Sequence, residues 1–599
     1  MAKVFIEPVG VTIEVGEEQD LLTALLAAGI AIPSDCAGRG TCAKCLVRLG
    51  SGELTEVTEV EARRLSAHLR DDGWRLACQA RPTSGRVSIE VRQTGGRRRI
   101  LTTSKLHHGK AKPAVVRRLV ELPPATLEDK RADQERLLAT CAACGDGRQA
   151  ALGATRELPD ILRRHGWRAT VTSYDGRVID AEPPEVQAVA YGAAVDIGTS
   201  KVIAYLFDLE AGRLVDQEAA ENPQMRYGED VISRIARAVD ADGARELATA
   251  VRDGINQVLG ELCERNGVDP RHIYDMTVVG NTAMHHLALG LSPVGLGSAP
   301  FAPAVAAPLT LRAAELGLAM NPEGGVHFPP PIAGFVGSDA LAVVAATRLA
   351  SKRLPCLALD IGTNTEIAIA HDGRVTATSC ASGPAFEGYQ IAHGMKAVAG
   401  AIERVRFDHA GLPTEVTTIG NQPALGLCGS GVVDLLAGLV VSGVVDRTGR
   451  MQPHARVRQG DSGLEYLLTE GVSGPIVFTQ HDVRALQLAK GAIASGWVLL
   501  LENLGLEPGD LHRVYVAGAF GNYLDVGAAL RLDLLPPVPR DRVAFVGNAA
   551  GVGAQMALID VGARRRMAAL RSRMEFLDLA TDARFNDVFT RRLQFAPRA

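Results

Sequence analysis

Four cysteines stand where they could share a metal. Cys36, Cys42 and Cys45 lie in the glycine-rich stretch CAGRGTCAKC, and Cys78 follows in RLACQA. Thiolates are soft ligands that select iron–sulfur clusters or zinc. A zinc site usually draws on two short CxxC-type pairs. Only Cys42 and Cys45 form one here, and three clustered cysteines with a remote fourth suit a two-iron cluster better. Gly38 and Gly40 are expected to take positive φ and to bring backbone N–H groups near the sulfurs, where such bonds tune the reduction potential.

A second chemistry is written twice further along. AAVDIGTSKVIAYLFDLEAGRLVDQ at 193–217 matches LALDIGTNTEIAIAHDGRVTATS at 357–379 in order: apolar strand, DIGT turn, second strand, glycine-containing turn, third strand. An Asp at a strand end can hold Mg²⁺ or its waters, while the glycine turn offers N–H groups and hydroxyls to phosphate oxygens. Asp196, Gly198, Thr199, Ser200 and Lys201 form one such loop; Asp360, Gly362, Thr363 and Asn364 form the other. Two loops in repeated lobes can grip a nucleoside triphosphate from both sides. No GxxxxGK[ST] occurs, which disfavours a P-loop enzyme. Downstream, GLCGSGVVD at 426–434 and VYVAGAFGNYL at 514–524 place Gly429, Ser430 and Gly431, and Gly518, Ala519, Phe520 and Gly521, where a strand meets a small-residue turn. Such turns let a flat base and ribose lie against backbone.

These groups need elements to hold them. The 599 residues suggest roughly four domains at about 150 residues each. A net charge of −4 from 64 basic and 68 acidic residues argues against a general nucleic-acid or membrane-surface binder. The start MAKVFIEPVG lacks the apolar core of a signal peptide, and even LLAGLVVSGVV ends against Asp446 and Arg447, so a cytoplasmic location without membrane spans is expected. Ten cysteines are too few for a secreted disulfide scaffold of this size.

Residues 1–94 read as a small α+β unit, 95–112 as a flexible basic linker whose Arg97, Arg98 and Arg99 form a solvated hinge, and 113–187 as a small α/β middle domain. In the middle domain a strand, two helical patterns and the hairpin WRATVTSYDGRVIDAEP are expected, and Cys141 and Cys144 read as helix-end cysteines. Residues 188–599 hold the two repeated lobes, too widely spaced for a solenoid.

The motifs carry resemblances. Residues 1–94 resemble a [2Fe-2S] ferredoxin domain, of the type with five residues between its first two cysteines. The layout of 188–599 resembles the acetate and sugar kinase, heat-shock chaperone and actin superfamily (ASKHA), which implies ATP bound between two lobes. The order of these parts, with NPQMRYGEDVISRI, VVGNTAMHHL, SGPAFEG, GLCGSG and VAGAFG, resembles the reductive activators of corrinoid-dependent methyltransferases and corrinoid iron–sulfur proteins. The fold implied is a multidomain α/β chain: a β-grasp-like ferredoxin (α+β), a small middle domain and a two-lobed actin-like ATPase. The activity implied is ATP-dependent delivery of one electron from a low-potential donor through the cluster, converting inactive cob(II)alamin on a partner corrinoid protein to cob(I)alamin. A gap of a few hundred millivolts costs on the order of 5 to 7 kcal/mol, a scale that nucleotide can supply.

The resemblance assigns Cys36, Cys42, Cys45 and Cys78 to the cluster, Asp196 and Asp360 to Mg²⁺, and the glycine turns at 429–431 and 518–521 to adenosine. Glu366 and Glu387 are candidates for orienting the attacking water, against the competing reading of surface or helix-capping carboxylates. His285 and His286 read as buried structure rather than metal ligands. No D-x-H-x-x-G cobalamin motif occurs, so the corrinoid is expected on another protein. Archaeal relatives carry a further cysteine-rich C-terminus; this tail has no cysteine, which places all iron at the N-terminus. Relatives form dimers through the large domain, although no sequence feature marks an interface. Three rivals differ in chemistry: the activator of a radical 2-hydroxyacyl-CoA dehydratase, a redox-sensing nucleotide-dependent switch, and a small-molecule kinase with a fused ferredoxin.

Overall fold

The computed structural model describes residues 2–596 apart from 8–9, 17, 29, 31, 33–37, 39, 41–44, 66, 84, 92–110, 144–148, 229, 461–462, 473 and 519–523. The chain divides into two compact units, one formed by 1–99, 225–234 and 384–486, the other by 100–224, 235–383 and 487–599.

In the first unit, the strand Ala2–Glu7 buries every second residue, so Val4 and Ile6 face a core with Val47, Leu25 and Ile89. Each such side chain contributes about 1.5–3 kcal/mol on burial. Ala2–Glu7 pairs antiparallel with Val11–Val15 and parallel with Arg86–Val91. Leu46–Ser51 then joins Arg86–Val91 to the short edge strand Trp74–Leu76. The resulting five-stranded mixed sheet, with helix Leu21–Ala27 laid across it and capped by Asp20, is the β-grasp-like arrangement. The same unit holds two small sheets from 401–427 and 457–479, and helix Gly429–Ser442.

The second unit contains the repeat. Tyr191–Ile197, Lys201–Asp208 and Arg213–Glu221 form an antiparallel meander, and Ile273–Gly280 lies parallel on the other side of Tyr191–Ile197. Cys356–Ile361, Thr365–His371 and Arg374–Cys380 repeat it, with Arg513–Ala517 in the equivalent parallel place. Each sheet extends to six strands. One helix follows each sheet's parallel strands, Ser338–Ala346 and Ala549–Ile559, and the two cross closely. A Cβ on Gly553 would lie 2.5 Å from the Ala342 Cβ, so glycine and alanine at the crossing set the spacing.

The four-stranded sheet of 115–182 belongs to this unit. Its hairpin turns at Asp175 and Gly176, with φ of 46° and 79°, the double positive φ that a two-residue hairpin turn requires. A buried polar network ties it to the first repeat. Arg117 donates to Glu182 (2.6 Å) and to the Tyr274 hydroxyl (3.2 Å), and Tyr274 donates to Asp180 (2.8 Å). Arg564 links the Tyr174 hydroxyl (2.8 Å) and the Asp275 carboxylate (2.5 Å). No helix among the described residues is long and apolar enough to cross a membrane.

Candidate functional site

Cys45 ends the loop that enters Leu46–Ser51, and Cys78 sits in the turn that leaves Trp74–Leu76. Because these strands pair antiparallel with Leu46 opposite Leu76, and the Ala77 N–H donates to the Cys45 carbonyl at 2.8 Å, the two thiols are brought together. Their sulfurs are 3.4 Å apart. That is far beyond a disulfide bond of about 2.05 Å, and close to the spacing of two sulfurs on one tetrahedral metal at about 2.3 Å each. The donor set fits a thiolate-bound cluster. Cys36 and Cys42 lie outside the described residues. Gly38 and Gly40 do take positive φ, 83° and 72°.

A buried ion pair fixes the Cys78 segment. Glu61, fully buried, accepts from Arg75 Nε (2.9 Å), Arg75 Nη2 (2.8 Å), the Leu76 N–H (2.9 Å) and the Thr58 N–H (2.9 Å). Burial alone would raise the Glu61 pKa, but the Arg75 guanidinium and the two backbone donors hold it below the ordinary value.

At the second site the two DIGT turns face one another: the hydroxyls of Ser200 and Thr363 are 3.2 Å apart. Each turn is braced from its own repeat, both within the second compact unit. The Gly198 N–H donates to the Lys201 carbonyl at 2.8 Å, and Asn222, from the ENPQMRYG stretch, donates to the Gly198 carbonyl at 2.9 Å. Ser382 donates to the Gly362 carbonyl at 3.1 Å, and the Gly383 N–H to the Thr363 carbonyl at 2.8 Å. Thr199, Ser200 and Thr363 are buried, whereas Gly198, Lys201, Gly362 and Asn364 keep partial exposure.

Four carboxylates gather at these turns. Asp360 and Glu366 are directly paired across adjacent strands and therefore project on one face. In the first repeat the residue opposite Asp196 is Ile203, so the repeat is broken at this position and only the second half carries the extra acid. Burial pushes Asp196 up to about 6, against the pull of a hydrogen bond from Asn548 (2.9 Å). Asp360 is pushed up to about 8 by burial and then by the charges of Asp196 and Asp339. Burial, then Asp339, then Asp360 push Glu366 well above the carboxylate range. Asp339 itself is pushed up to about 7, by burial and by Asp196. Mutually repelling acids at one place are the electrostatic signature of a cation site. Among the described residues no three His, Cys, Asp or Glu side chains converge as a ready-made metal cage. Mg²⁺ suits such a place, since it is usually held by one or two carboxylates, waters and phosphate oxygens.

Sequence reading missed Asp339 and Asn548. Asp339 stands in the first turn of Ser338–Ala346, and that helix is seated on the strand Ile273–Gly280: a Cβ on Gly337 would meet the Gly280 carbonyl at 2.2 Å, and the Ser338 hydroxyl donates to the same carbonyl at 3.3 Å. Asn548 caps Ala549–Ile559, accepting from the Gly551 N–H (2.9 Å) while its amide reaches Asp196. Thus the helix after the first sheet sets an acid near Asp360 and Glu366, and the helix after the second holds Asp196. The available signal was the helix start GSDA just ahead of the second DIGT strand, matched by GNAA near the end of the chain.

The other candidates fall as follows. Gly518, with φ of 96°, lies against the second turn: a Cβ would stand 2.5 Å from the Ile361 carbonyl and 3.0 Å from the Asp360 carboxylate. Ala519, Phe520 and Gly521 are outside the described residues. Gly429, Ser430 and Gly431 are buried in the first turn of Gly429–Ser442, where a Cβ on Gly431 would meet the Ile402 carbonyl at 2.2 Å. Glu387, half-buried in the turn Ala385–Glu387, belongs to the first compact unit. His286 is a strut, bonded to the Thr282 carbonyl (2.8 Å) and the Ala304 N–H (2.9 Å). His285 is buried edge-on to Phe328, and burial pushes its pKa down to about 3. Cys141 is buried; Cys144 is outside the described residues.

Comparison with known proteins extends over the whole chain. Residues 4–83 match the 2Fe-2S iron-sulfur cluster binding domain, 104–188 the RACo linker region, 191–352 the RACo middle region, and 355–598 the C-terminal domain of RACo, the ASKHA domain. The corrinoid activation enzyme RamQ of Eubacterium limosum is 31% identical over 97% of each chain. The [Co(II) methylated amine-specific corrinoid protein] reductase of Methanosarcina barkeri is 28% identical over 38% of this chain and 44% of its own. The solved structure of a reductive activator for corrinoid, iron-sulfur protein superposes with a TM-score of 0.76 at 33% identity, covering 99% of this chain and 98% of that one.

Proposed function

This chain belongs to the RACo family of reductive activators of corrinoid proteins, and from that premise we propose that it returns a partner's cob(II)alamin to cob(I)alamin, one electron at a time, with ATP. The observation that carries the reading is the presence in one chain of a close thiol pair on a ferredoxin sheet and a four-carboxylate site between paired phosphate turns. When bound, the cluster supplies one-electron transfer, and Mg²⁺ with ATP supplies the free energy of phosphoryl transfer.

The chain's own residues divide the work. Cys45 and Cys78, with Cys36 and Cys42, hold the iron; the Glu61–Arg75 pair keeps the Cys78 turn in place. Gly198, Thr199, Ser200, Lys201, Gly362, Thr363 and Asn364 offer N–H, hydroxyl and ammonium groups to phosphate oxygens. Asp196 and Asp360 hold Mg²⁺ or its waters, and Asn548 keeps Asp196 oriented. Glu366 and Asp339, recessed beside Asp360, orient the attacking water; this deepens the sequence-based role of Glu366 and adds Asp339. Adenosine is assigned to the glycine turns 429–431 and 518–521. The functional division remains 1–94, 95–112, 113–187 and 188–599, the basic linker lying outside the described residues except for 111–112, and the electron passes from a low-potential donor to the corrinoid protein in the cytoplasm. A homodimer is part of the same reading.

The test is anaerobic. Reduced protein mixed with a corrinoid protein loaded with cob(II)alamin should develop the cob(I)alamin absorption band, faster or further with ATP. A band that never appears, or that ignores nucleotide, overturns the proposal.

A further inference from the structure

We propose that Gln79 tunes the cluster: its side-chain N–H donates to the Cys78 sulfur and raises the reduction potential above the value the thiolates alone would set. The inference rests on the reading that Cys78 is an iron ligand. Gln79 Nε2 lies 3.7 Å from Cys78 Sγ, a distance suited to an N–H donor on a large, polarisable sulfur, and 3.2 Å from the Cys78 carbonyl.

The direction of the amide is fixed by its partners. A carbonyl oxygen on one side accepts only a donor, so the NH₂ must face Cys78. On the other side Oε1 accepts from the Thr58 hydroxyl at 3.5 Å. Thr58 is itself locked as the cap of helix Glu59–Arg64: its hydroxyl accepts from the Glu61 N–H (3.2 Å) and its N–H donates to the Glu61 carboxylate (2.9 Å). Gly40 leaves the space. A Cβ there would stand 3.2 Å from Gln79 Nε2 and 2.6 Å from Val60 Cγ1. The chain therefore continues without a break from the buried Glu61–Arg75 pair, through the helix cap, to a donor aimed at a ligand sulfur.

The chemistry follows from charge. Adding an electron places more negative charge on the thiolate sulfurs, so a donor N–H stabilises the reduced form more than the oxidised form. Removing the donor moves the potential negative; reversing its polarity moves it further.

The test uses the full chain, reconstituted with iron and sulfide and titrated spectroelectrochemically. Gln79→Leu keeps the bulk and loses the donor, and is expected to weaken reduction about tenfold, a 59 mV negative shift for one electron. Gln79→Glu shifts further in the same direction, and Thr58→Val, which releases the far end of the amide, shifts less. If Gln79→Leu fails to retain iron, the other two variants carry the comparison. Intact two-iron spectra with unchanged midpoints across the variants overturn the proposal. Failure of the underlying assignment looks different: Cys78→Ser would then keep a full two-iron spectrum with the wild-type midpoint.

Discussion

Replacing Glu61 with glutamine preserves shape and removes one charge from a site with no exposure to water. The carboxylate accepts two hydrogen bonds at each oxygen: Arg75 Nε and the Leu76 N–H at Oε1, the Thr58 N–H and Arg75 Nη2 at Oε2. A glutamine can orient its carbonyl toward one pair only. Its NH₂ then faces the other two donors, leaving both unsatisfied at about 1–3 kcal/mol each. The sum agrees with the roughly 3–5 kcal/mol cost of breaking a buried ion pair. For a domain of this size each kcal/mol lowers Tm by about 4–8 °C, so a loss of 3 kcal/mol lowers it by about 12–24 °C. The assay is thermal bleaching of the visible cluster band in the full-length protein, with ATP binding measured in parallel. Bleaching should move down by at least 10 °C or so while the nucleotide site is unaffected. A shift below about 4 °C would refute the reasoning, because it would mean the Glu61–Arg75 pair does not hold the Cys78 turn.

Asp360→Ala and Asp339→Asn should each lose Mg²⁺-dependent ATP hydrolysis, by at least about a hundredfold on the usual scale for a charge-positioning group, with the cluster spectrum unchanged; turnover at the wild-type rate in both would move the catalytic centre elsewhere. The raised pKa of Asp360 also fixes the sign of a pH effect without nucleotide: the folded form holds its proton up to about 8 while the unfolded form releases it near 3.8, so stability falls as pH rises through that window. Melts of the protein without metal should show Tm declining from pH 5 to pH 8, Mg²⁺ with a nonhydrolysable ATP analogue should flatten the slope, and Asp360→Asn should flatten it without ligand. A Tm that rises over that range would contradict the carboxylate grouping.

Much of the architecture was legible because it is written in local, repeated chemistry. The two DIGT strands announce themselves by an Asp at a strand end followed by a glycine turn, and the structure makes both the first strands of matching meanders. The hairpin around Asp175 and Gly176 was equally legible, since few residue pairs tolerate two positive φ values. The carboxylate group was only half legible. Glu366 could be suspected from its place six residues after Asp360, but its pairing with Asp360 depends on strand register, which differs between the repeats. Asp339 and Asn548 had only the paired helix starts GSDA and GNAA as a signal, a weak one because a helix-start Asp or Asn is commonly a cap and nothing more.

By itself the sequence determined which atoms are available: thiols in a ferredoxin spacing, twin DIGT turns, and the absence of a corrinoid motif. These follow from residue type and short-range spacing, which the chain carries wherever it goes. Tertiary structure alone decided which of those atoms meet. Backbone carbonyls that admit no Cβ at Gly337, and the facing of two distant turns at Ser200 and Thr363, bring acids remote in sequence into one another's field. A strand pairing likewise sets Cys45 beside Cys78 and turns Gln79 toward its sulfur. The physical reason is that electrostatic coupling and hydrogen bonding fall off over a few ångströms, so their partners are fixed by packing and strand register, not by distance along the chain.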